Sequence, residues 1–339
     1  MNLALSQISK FIHQLPKVEL HLHLEGCVTP EFWLSLIQKH QEDSHITLEN
    51  LEKRFVFQSF FDFMDTYRDI IFSFQEPEDI YHLTKFAMHH LVSQKIRYCE
   101  MMFTPFFFVK RGLPYREILN AIDSAAREVE ADHPIKMSLI FDGPRNFGAE
   151  IVAEVFEMAA GDHTGRVIGV GLGGDELNYP AHLFQKEFEK AHSYGLNLIA
   201  HAGETDGEKS MIDAIQKLKV SRIGHGLGIT KGSRLEALIR EKNITIDLCP
   251  GSNLATGVID SLEDHPFGKY YQKAYTISLN SDDPGLFKTS LNQEYLKMAE
   301  LHKLSEKDLI QVILNGISGT FLPDSDKRIL STEVESYLS

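Results

Sequence analysis

Short apolar, β-branched runs alternate along this chain with longer stretches of helical periodicity. The runs fall at 18–23, 96–104, 135–142, 167–173, 196–201, 220–225, 244–249 and 275–280. Between them lie helix-like segments such as 115–130, 149–160, 181–194 and 233–242. Strand, helix and strand repeated in this way imply parallel pairing. Eight such units predict an α/β fold, a (β/α)8 TIM barrel. An open, doubly wound parallel sheet is the structural alternative. The gap between the first two strands is too long for a single crossover. It predicts a helical insertion over about 27–95, rich in Phe at Phe55, Phe57, Phe60, Phe61 and Phe63. Such an insertion packs its aromatic face on the barrel, and part of it can wall or lid a site. Beyond the eighth strand the chain runs on into C-terminal helices that complete the outer ring. With no repeat and no low-complexity linker, residues 1–339 read as one barrel domain.

Composition narrows this picture. The 339 residues are 43% hydrophobic, enough for a large core. Basic residues number 34 and acidic residues 48, a formal net charge of −14, which argues against a nucleic acid or an anionic membrane as partner. A small-molecule ligand stays compatible with it. Cys27, Cys99 and Cys249 are odd in number, widely spaced and form no CxxC pair, so a reducing compartment is expected. The N-terminal residues lack a signal-type apolar core, and no stretch reaches the length of a membrane span. The expectation is a cytoplasmic protein. Its oligomeric state stays open.

Candidate chemistry gathers at the ends of the strands. His21 and His23 stand two apart on a strand, so both imidazoles face one way and can meet one ion. His201, Glu204, His225, Asp282 and Asp283 fall where other strands end. In a parallel barrel those ends share one face, the face where such enzymes carry their sites. Imidazoles and carboxylates with a position left for water point to catalytic zinc. Barrel hydrolases with two metals often bridge them with a lysine after the fourth strand. Here 171–176 read Gly-Leu-Gly-Gly-Asp-Glu, so one metal is expected. Glycines around His225 suit an exposed imidazole with backbone close by. A turn at Gly203 can aim Glu204 at a substrate. Arg145, after the third strand, is either an anion receptor at the rim or a structural ion-pair residue.

Taken together these motifs resemble the adenosine deaminase family. The similarity rests on 15–26 (Leu-Pro-Lys-Val-Glu-Leu-His-Leu-His-Leu-Glu-Gly), 173–176 (Gly-Gly-Asp-Glu) and 201–204 (His-Ala-Gly-Glu). It continues through 224–226 (Gly-His-Gly), 249–253 (Cys-Pro-Gly-Ser-Asn) and 281–284 (Ser-Asp-Asp-Pro). The motifs keep the family order and span nearly the whole chain. The resemblance implies one zinc ion held by His21, His23, His201 and Asp282, acidifying a water. His225 would orient that water. Glu204 would protonate the purine at N1 as C6 is attacked. Asp283 would meet N7, and the Gly174 N–H would meet N3. Glu25 would face the ribose, and His23 would touch substrate as well as metal.

The implied reaction is hydrolytic deamination of an aminopurine nucleoside, first of all adenosine or 2′-deoxyadenosine, giving the 6-oxo purine and ammonia. Aminodeoxyfutalosine and adenine are the alternative substrates, and a catalytically silent nucleoside-binding relative is the alternative outside enzymology. Three departures bear on the choice. Glu25 stands where many adenosine deaminases carry Asp. The Gly-Gly-Asp-Glu segment resembles the nucleoside type rather than the Ser-Ser-Glu of adenine deaminases. The second strand ends in an aromatic run, Phe103 to Phe108 with Thr104 and Pro105, which either packs on the insertion or makes room for an apolar 5′ substituent.

Overall fold

A computed structural model describes residues 3–41, 45–57, 60–229 and 232–338, with the backbone alone at 3–5 and 60–61. The strands are β1 (Lys17–His23), β2 (Ile96–Phe103), β3 (Lys136–Pro144) and β4 (Val167–Gly173). They continue as β5 (Asn197–Ala202), β6 (Arg222–His225), β7 (Thr245–Leu248) and β8 (Ile277–Leu279). All neighbours pair in parallel, in the order β1 to β8. The result is a nearly closed barrel with helices around it, and not the open sheet. β8 is shorter than the sequence predicts. The Tyr275 N–H bonds back to the Tyr270 carbonyl, so the ladder starts later.

The barrel closes by an unusual seam. β1 and β8 share a backbone bridge, Leu22 with Asp282. Asp282 N–H donates to the His21 carbonyl at 3.1 Å, and His23 N–H donates to the Asp282 carbonyl at 2.9 Å. Below that bridge a side chain replaces backbone. Asn280 Oδ1 accepts from the N–H groups of Leu20 (2.8 Å) and His21 (3.1 Å). Asn280 Nδ2 donates to Ser278 Oγ, and Ser278 Oγ donates to Asp247 Oδ1. Asp247 pairs with Arg222 Nε at 2.7 Å, and Arg222 also pairs with Glu100. These strands are not all neighbours, so this buried polar network crosses the barrel interior.

Layers of interior side chains rise from it with the period of two that strands impose. Met102, Ile140 and Ile199 pack together next, from β2, β3 and β5. Two residues further along those strands stand Thr104, Asp142 and His201. The same alternation that fills the barrel therefore delivers polar groups to its mouth.

Among the described residues between β1 and β2 lie four α-helices, Pro30–His40, Leu48–Arg54, Phe60–Phe72 and Pro77–Ser93. Thr29 caps the first of these by accepting from the Phe32 N–H, with Pro30 at the first helical position. Trp33 is buried against Phe55 and donates to Ser73, so these helices share a local core. The outer helices Tyr115–Asp132, Ala149–Ala160 and Arg234–Lys242 follow their expected positions closely. The segment expected over 181–194 divides into a 3-10 turn, Ala181–Phe184, and a helix, Gln185–Ser193. After β8 come Leu291–His302, Glu306–Gly319 and Asp324–Glu335, and Glu306–Gly319 packs on β8 and β1. Among the described residues no helix is long and apolar enough to cross a membrane.

Asn280→Ala deprives two buried N–H groups of their acceptor. Urea titration of this variant should show a loss of about 1–3 kcal/mol. An unchanged midpoint would mean that the Asp282 bridge alone holds the seam.

Candidate active site

The two β1 imidazoles emerge beside the seam, where Asp282 returns from β8. Asp282 Oδ1 lies 3.3 Å from His21 Nε2 and 3.4 Å from His23 Nε2. His23 Nε2 lies 3.3 Å from His201 Nε2. One ligand atom from each of His21, His23, His201 and Asp282 falls within 4.8 Å of all the others. Packing and backbone geometry enforce this convergence. Asp282 adopts φ +63° and His225 adopts φ +64°, a region costly for residues with a Cβ. A Cβ on Gly224 would lie 2.4 Å from His21 Cε1, so only glycine leaves room for that ring. Likewise a Cβ on Gly26 would collide with the Asp283 carboxylate at 1.8 Å. The glycines of two motifs are thus spaces for the side chains of two others.

Partners behind the cluster fix its orientation. Ser252 Oγ donates to Asp282 Oδ2 at 2.6 Å, which turns Oδ1 toward the imidazoles. His201 Nδ1 sits 3.2 Å from the Leu172 carbonyl and, as donor, leaves Nε2 free for an ion. The Asn253 amide meets His225 Nδ1 at 3.1 Å, so His225 Nε2 faces Glu204 Oε2 at 3.7 Å and Asp282 Oδ2 at 3.9 Å. Glu176 accepts from the N–H groups of Gly203 (2.9 Å) and Glu204 (3.0 Å) and so clamps the turn that carries Glu204.

The charge states suit a metal. Burial, helped by the neighbouring imidazoles, brings His23 down to about 4 and His201 well below its ordinary value. Neutral imidazoles are the form that binds cations. Burial alone would raise Asp282, but His21, His225 and His23 hold it well below the usual carboxylate range. Nδ1 of buried His21 has no hydrogen-bond partner, and its Nε2 meets only the Asp282 carboxylate, at 3.3 Å. Imidazole nitrogens and an ionised carboxylate converging on one point fit a divalent cation. Burial pushes Glu204 up to about 7, against the pull of His225. Asp283 is raised well above its ordinary value by burial and by the charges of Asp282, Glu25 and Glu204.

A cavity of about 140 Å³, open in part to solvent, lies over this cluster. Its floor includes His23, His201, Glu204, His225, Asp282, Asp283 and Gly174. Its outer walls are Phe63, Met64, Tyr67, Phe107, Phe147 and Phe287. The first three stand on the helix Phe60–Phe72, so the segment after β1 does wall the site, with Phe63 stacked on Phe287 at 5.2 Å. The aromatic run after β2 divides its work. Phe103 and Phe108 are buried and stacked on each other, whereas Phe107 reaches the cavity beside Phe147.

Two expected positions look different in three dimensions. Arg145 is fully buried and donates to the carbonyls of Leu172 (2.9 Å) and His201 (2.7 Å). It ties the ends of β4 and β5 together and does not stand at the rim. Glu25 is fully buried too. Its Oε1 accepts from the Thr104 N–H at 2.8 Å, and Thr104, not Glu25, lines the cavity.

Sequence reasoning gave no role to Asp142, Asn146, Ser252 or Glu176. Asn146 Oδ1 accepts from the Asp175 N–H and occupies the space a Cβ on Gly174 would need. Asp142 lines the cavity with Oδ1 unpartnered, and burial pushes its carboxyl up to about 7 against the pull of Arg145. The signal available for Asp142 was an acid at the mouth end of a strand.

A barrel mouth with imidazoles from β1 and β5, a β8 aspartate and a buried glutamate defines a metal-dependent hydrolase site. The adenosine deaminase family profile matches residues 16–337, and the chain belongs to that family. Its members are hydrolases acting on C–N bonds in cyclic amidines, and this chain is a hydrolytic deaminase of that class. It is 33% identical to the aminodeoxyfutalosine deaminase of Streptomyces avermitilis, over 97% of this chain and 93% of that protein. The adenine deaminase of Arthrobacter aurescens superposes with a TM-score of 0.91 at 26% identity, covering 96% of this chain and 99% of that one. An amidohydrolase from Burkholderia ambifaria, solved with bound zinc, superposes at 0.89 with 25% identity, covering 97% and 93%.

Ser252→Ala frees the Asp282 carboxylate from its brace. Metal affinity, read by competition with a chromogenic chelator, should fall roughly 10–100-fold while the circular dichroism stays native. Unaltered affinity would show that the backbone at Asp282 suffices to aim it.

Proposed function

We propose that this protein is a mononuclear zinc deaminase of 6-aminopurine nucleosides with an extended apolar 5′ substituent, the aminodeoxyfutalosine type. The observation that carries this reading is the division of the cavity. A polar floor suits an aminopurine ring, and six apolar or aromatic side chains rise above it, more wall than a free base uses. The family match and the aminodeoxyfutalosine deaminase relative support the reading. Adenosine, first choice on the motifs alone, leaves that wall unfilled. The match to an adenine deaminase fold favours the free base as second reading. The strand-four segment, whose Gly173 and Gly174 line the cavity and which resembles the nucleoside-type Gly-Asp-Glu pattern, argues for a nucleoside instead.

His21, His23, His201 and Asp282 would hold the zinc, which when bound supplies Lewis-acid activation of a water. His225, with Nε2 turned inward, orients and stabilises the attacking oxygen. Glu204 carries a proton to the ring nitrogen N1. Its burial keeps that proton available near neutral pH, and the Glu176 clamp holds it in reach. Asp283, raised in the same way, is a hydrogen-bond donor for N7. The Gly174 N–H meets N3. Glu25 holds the Thr104 backbone under the sugar side.

The test is a substrate panel with adenine, adenosine, 5′-methylthioadenosine and aminodeoxyfutalosine. The kcat/KM of the 5′-extended nucleosides should exceed that of adenosine by roughly 10–100-fold, the range that filling an apolar pocket supplies. Adenine as the best substrate would overturn the reading. Glu204→Gln should keep its metal and lose roughly 10²–10⁴-fold in kcat. Near-native turnover in that variant would remove the proton-carrier role.

A further inference from the structure

The sugar side of the cavity holds one acid whose role the motifs leave unassigned. Asp142 ends the inward-facing series of β3, two residues beyond Ile140 in the barrel interior. It is 5% exposed, lines the cavity, and its Oδ1 has no hydrogen-bond partner. Oδ1 is turned down toward Gly171, and Oδ2, beside Gly173, is the oxygen nearer the mouth; a buried carboxyl without a partner is costly and calls for one. The place is built for it. A Cβ on Gly171 would fall 2.5 Å from one Asp142 oxygen, and a Cβ on Gly173 would fall 2.2 Å from the other. Alternate residues of β4 are thus glycines around this carboxylate.

Four facts define what it meets. Among the described residues that line the cavity there is no Lys or Arg, so no cation on that wall answers Asp142. Arg145 is near enough for its charge to act on Asp142, but its hydrogen bonds go to backbone carbonyls and none goes to Asp142. Asp142 also borders Gly173, adjacent to the Gly174 N–H assigned above to purine N3. In a purine, N3 lies on the same edge as N9, so a group beside N3 faces the substituent on N9. Glu25, the other acid on this side, is withdrawn behind Thr104.

We infer that Asp142 is a specificity residue that accepts a hydrogen bond from a 2′ or 3′ hydroxyl of the substrate's sugar. This rests on the nucleoside reading proposed above. A sugar hydroxyl is an uncharged donor at the N9 edge, which the carboxylate position requires. A site built to pair a hydroxyl discriminates strongly against a substrate lacking it, because its own polar group then stays buried and unpaired.

The experiment measures kcat/KM for 5′-methylthioadenosine and its 2′-deoxy and 3′-deoxy forms, in wild type, Asp142→Asn and Asp142→Ala. Metal content is measured for each protein. In wild type, removing one of the two hydroxyls should cost roughly 10–100-fold, the effect of leaving a buried polar group unpaired. Asp142→Ala should bring that ratio close to one. Asp142→Asn, nearly isosteric and still an acceptor, should fall between. The ratio of substrates is insensitive to a general loss of active protein, so a merely structural role would leave it unchanged. A wild-type ratio near one for both deoxy forms, or one that survives in Asp142→Ala, overturns the inference alone. Turnover of free adenine with none of any nucleoside overturns the nucleoside reading, and the inference with it.

Discussion

The rest of this site depends on how β8 meets β1. Each ends the sheet, and an unclosed barrel would leave His21 and His23 on one edge and Asp282 on the other. The seam joins them through one residue. Asp282 spends its backbone N–H and carbonyl on His21 and His23 and its carboxylate on the same pair of side chains. That double use explains its left-handed φ, since the backbone must turn sharply to present both. Closure, which removes sheet edges, and ligand assembly are therefore a single event. Asn280 extends the seam downward, and its chain of hydrogen bonds reaches the Arg222, Asp247 and Glu100 network at the barrel's floor.

Above the seam the structure tolerates what a packed core ordinarily excludes. Imidazoles and carboxylates crowd into one buried mouth, where desolvation opposes the charged form of each. The environment sorts them. Asp282 keeps its charge because imidazoles surround it. Glu204, Asp283, Asp142 and Glu25 are pushed toward the protonated form by burial. Carboxyls with divergent acidities a few ångströms apart are what acid–base chemistry near neutral pH requires. Their strain is offset below by the close-packed interior layer of Met102, Ile140 and Ile199.

The walls come from elsewhere in the chain. Helix Phe60–Phe72 lends Phe63, Met64 and Tyr67, and the segments just after β2, β3 and β8 lend Phe107, Phe147 and Phe287. The same residues are core on one side and cavity on the other. Buried stacking pairs such as Phe103 with Phe108 hold their neighbours in place. The polar groups of the site thus stand at strand ends and most of its apolar walls on the segments between strands, a division common to this barrel.

The sequence by itself determined the strand order and the eightfold alternation, which period two along each strand carries, and it placed His21 and His23 two apart on one face of β1. These signals are local. Tertiary structure decided what those signals do not encode. Asp142 reads in sequence as an acid near a turn; only the missing Cβ atoms of Gly171 and Gly173, on a neighbouring strand, show that it occupies a built position. Arg145 reads as a rim anion receptor, a surface cation or a structural ion-pair residue; only the convergence of β4 and β5 gives it two carbonyls to hold. Glu25 reads as a substrate contact; the Thr104 N–H from β2 claims one of its oxygens. Each of these outcomes depends on distances across the barrel, between residues far apart in the chain. Such distances are set by how the sheet closes and packs, and no local pattern of residues specifies them.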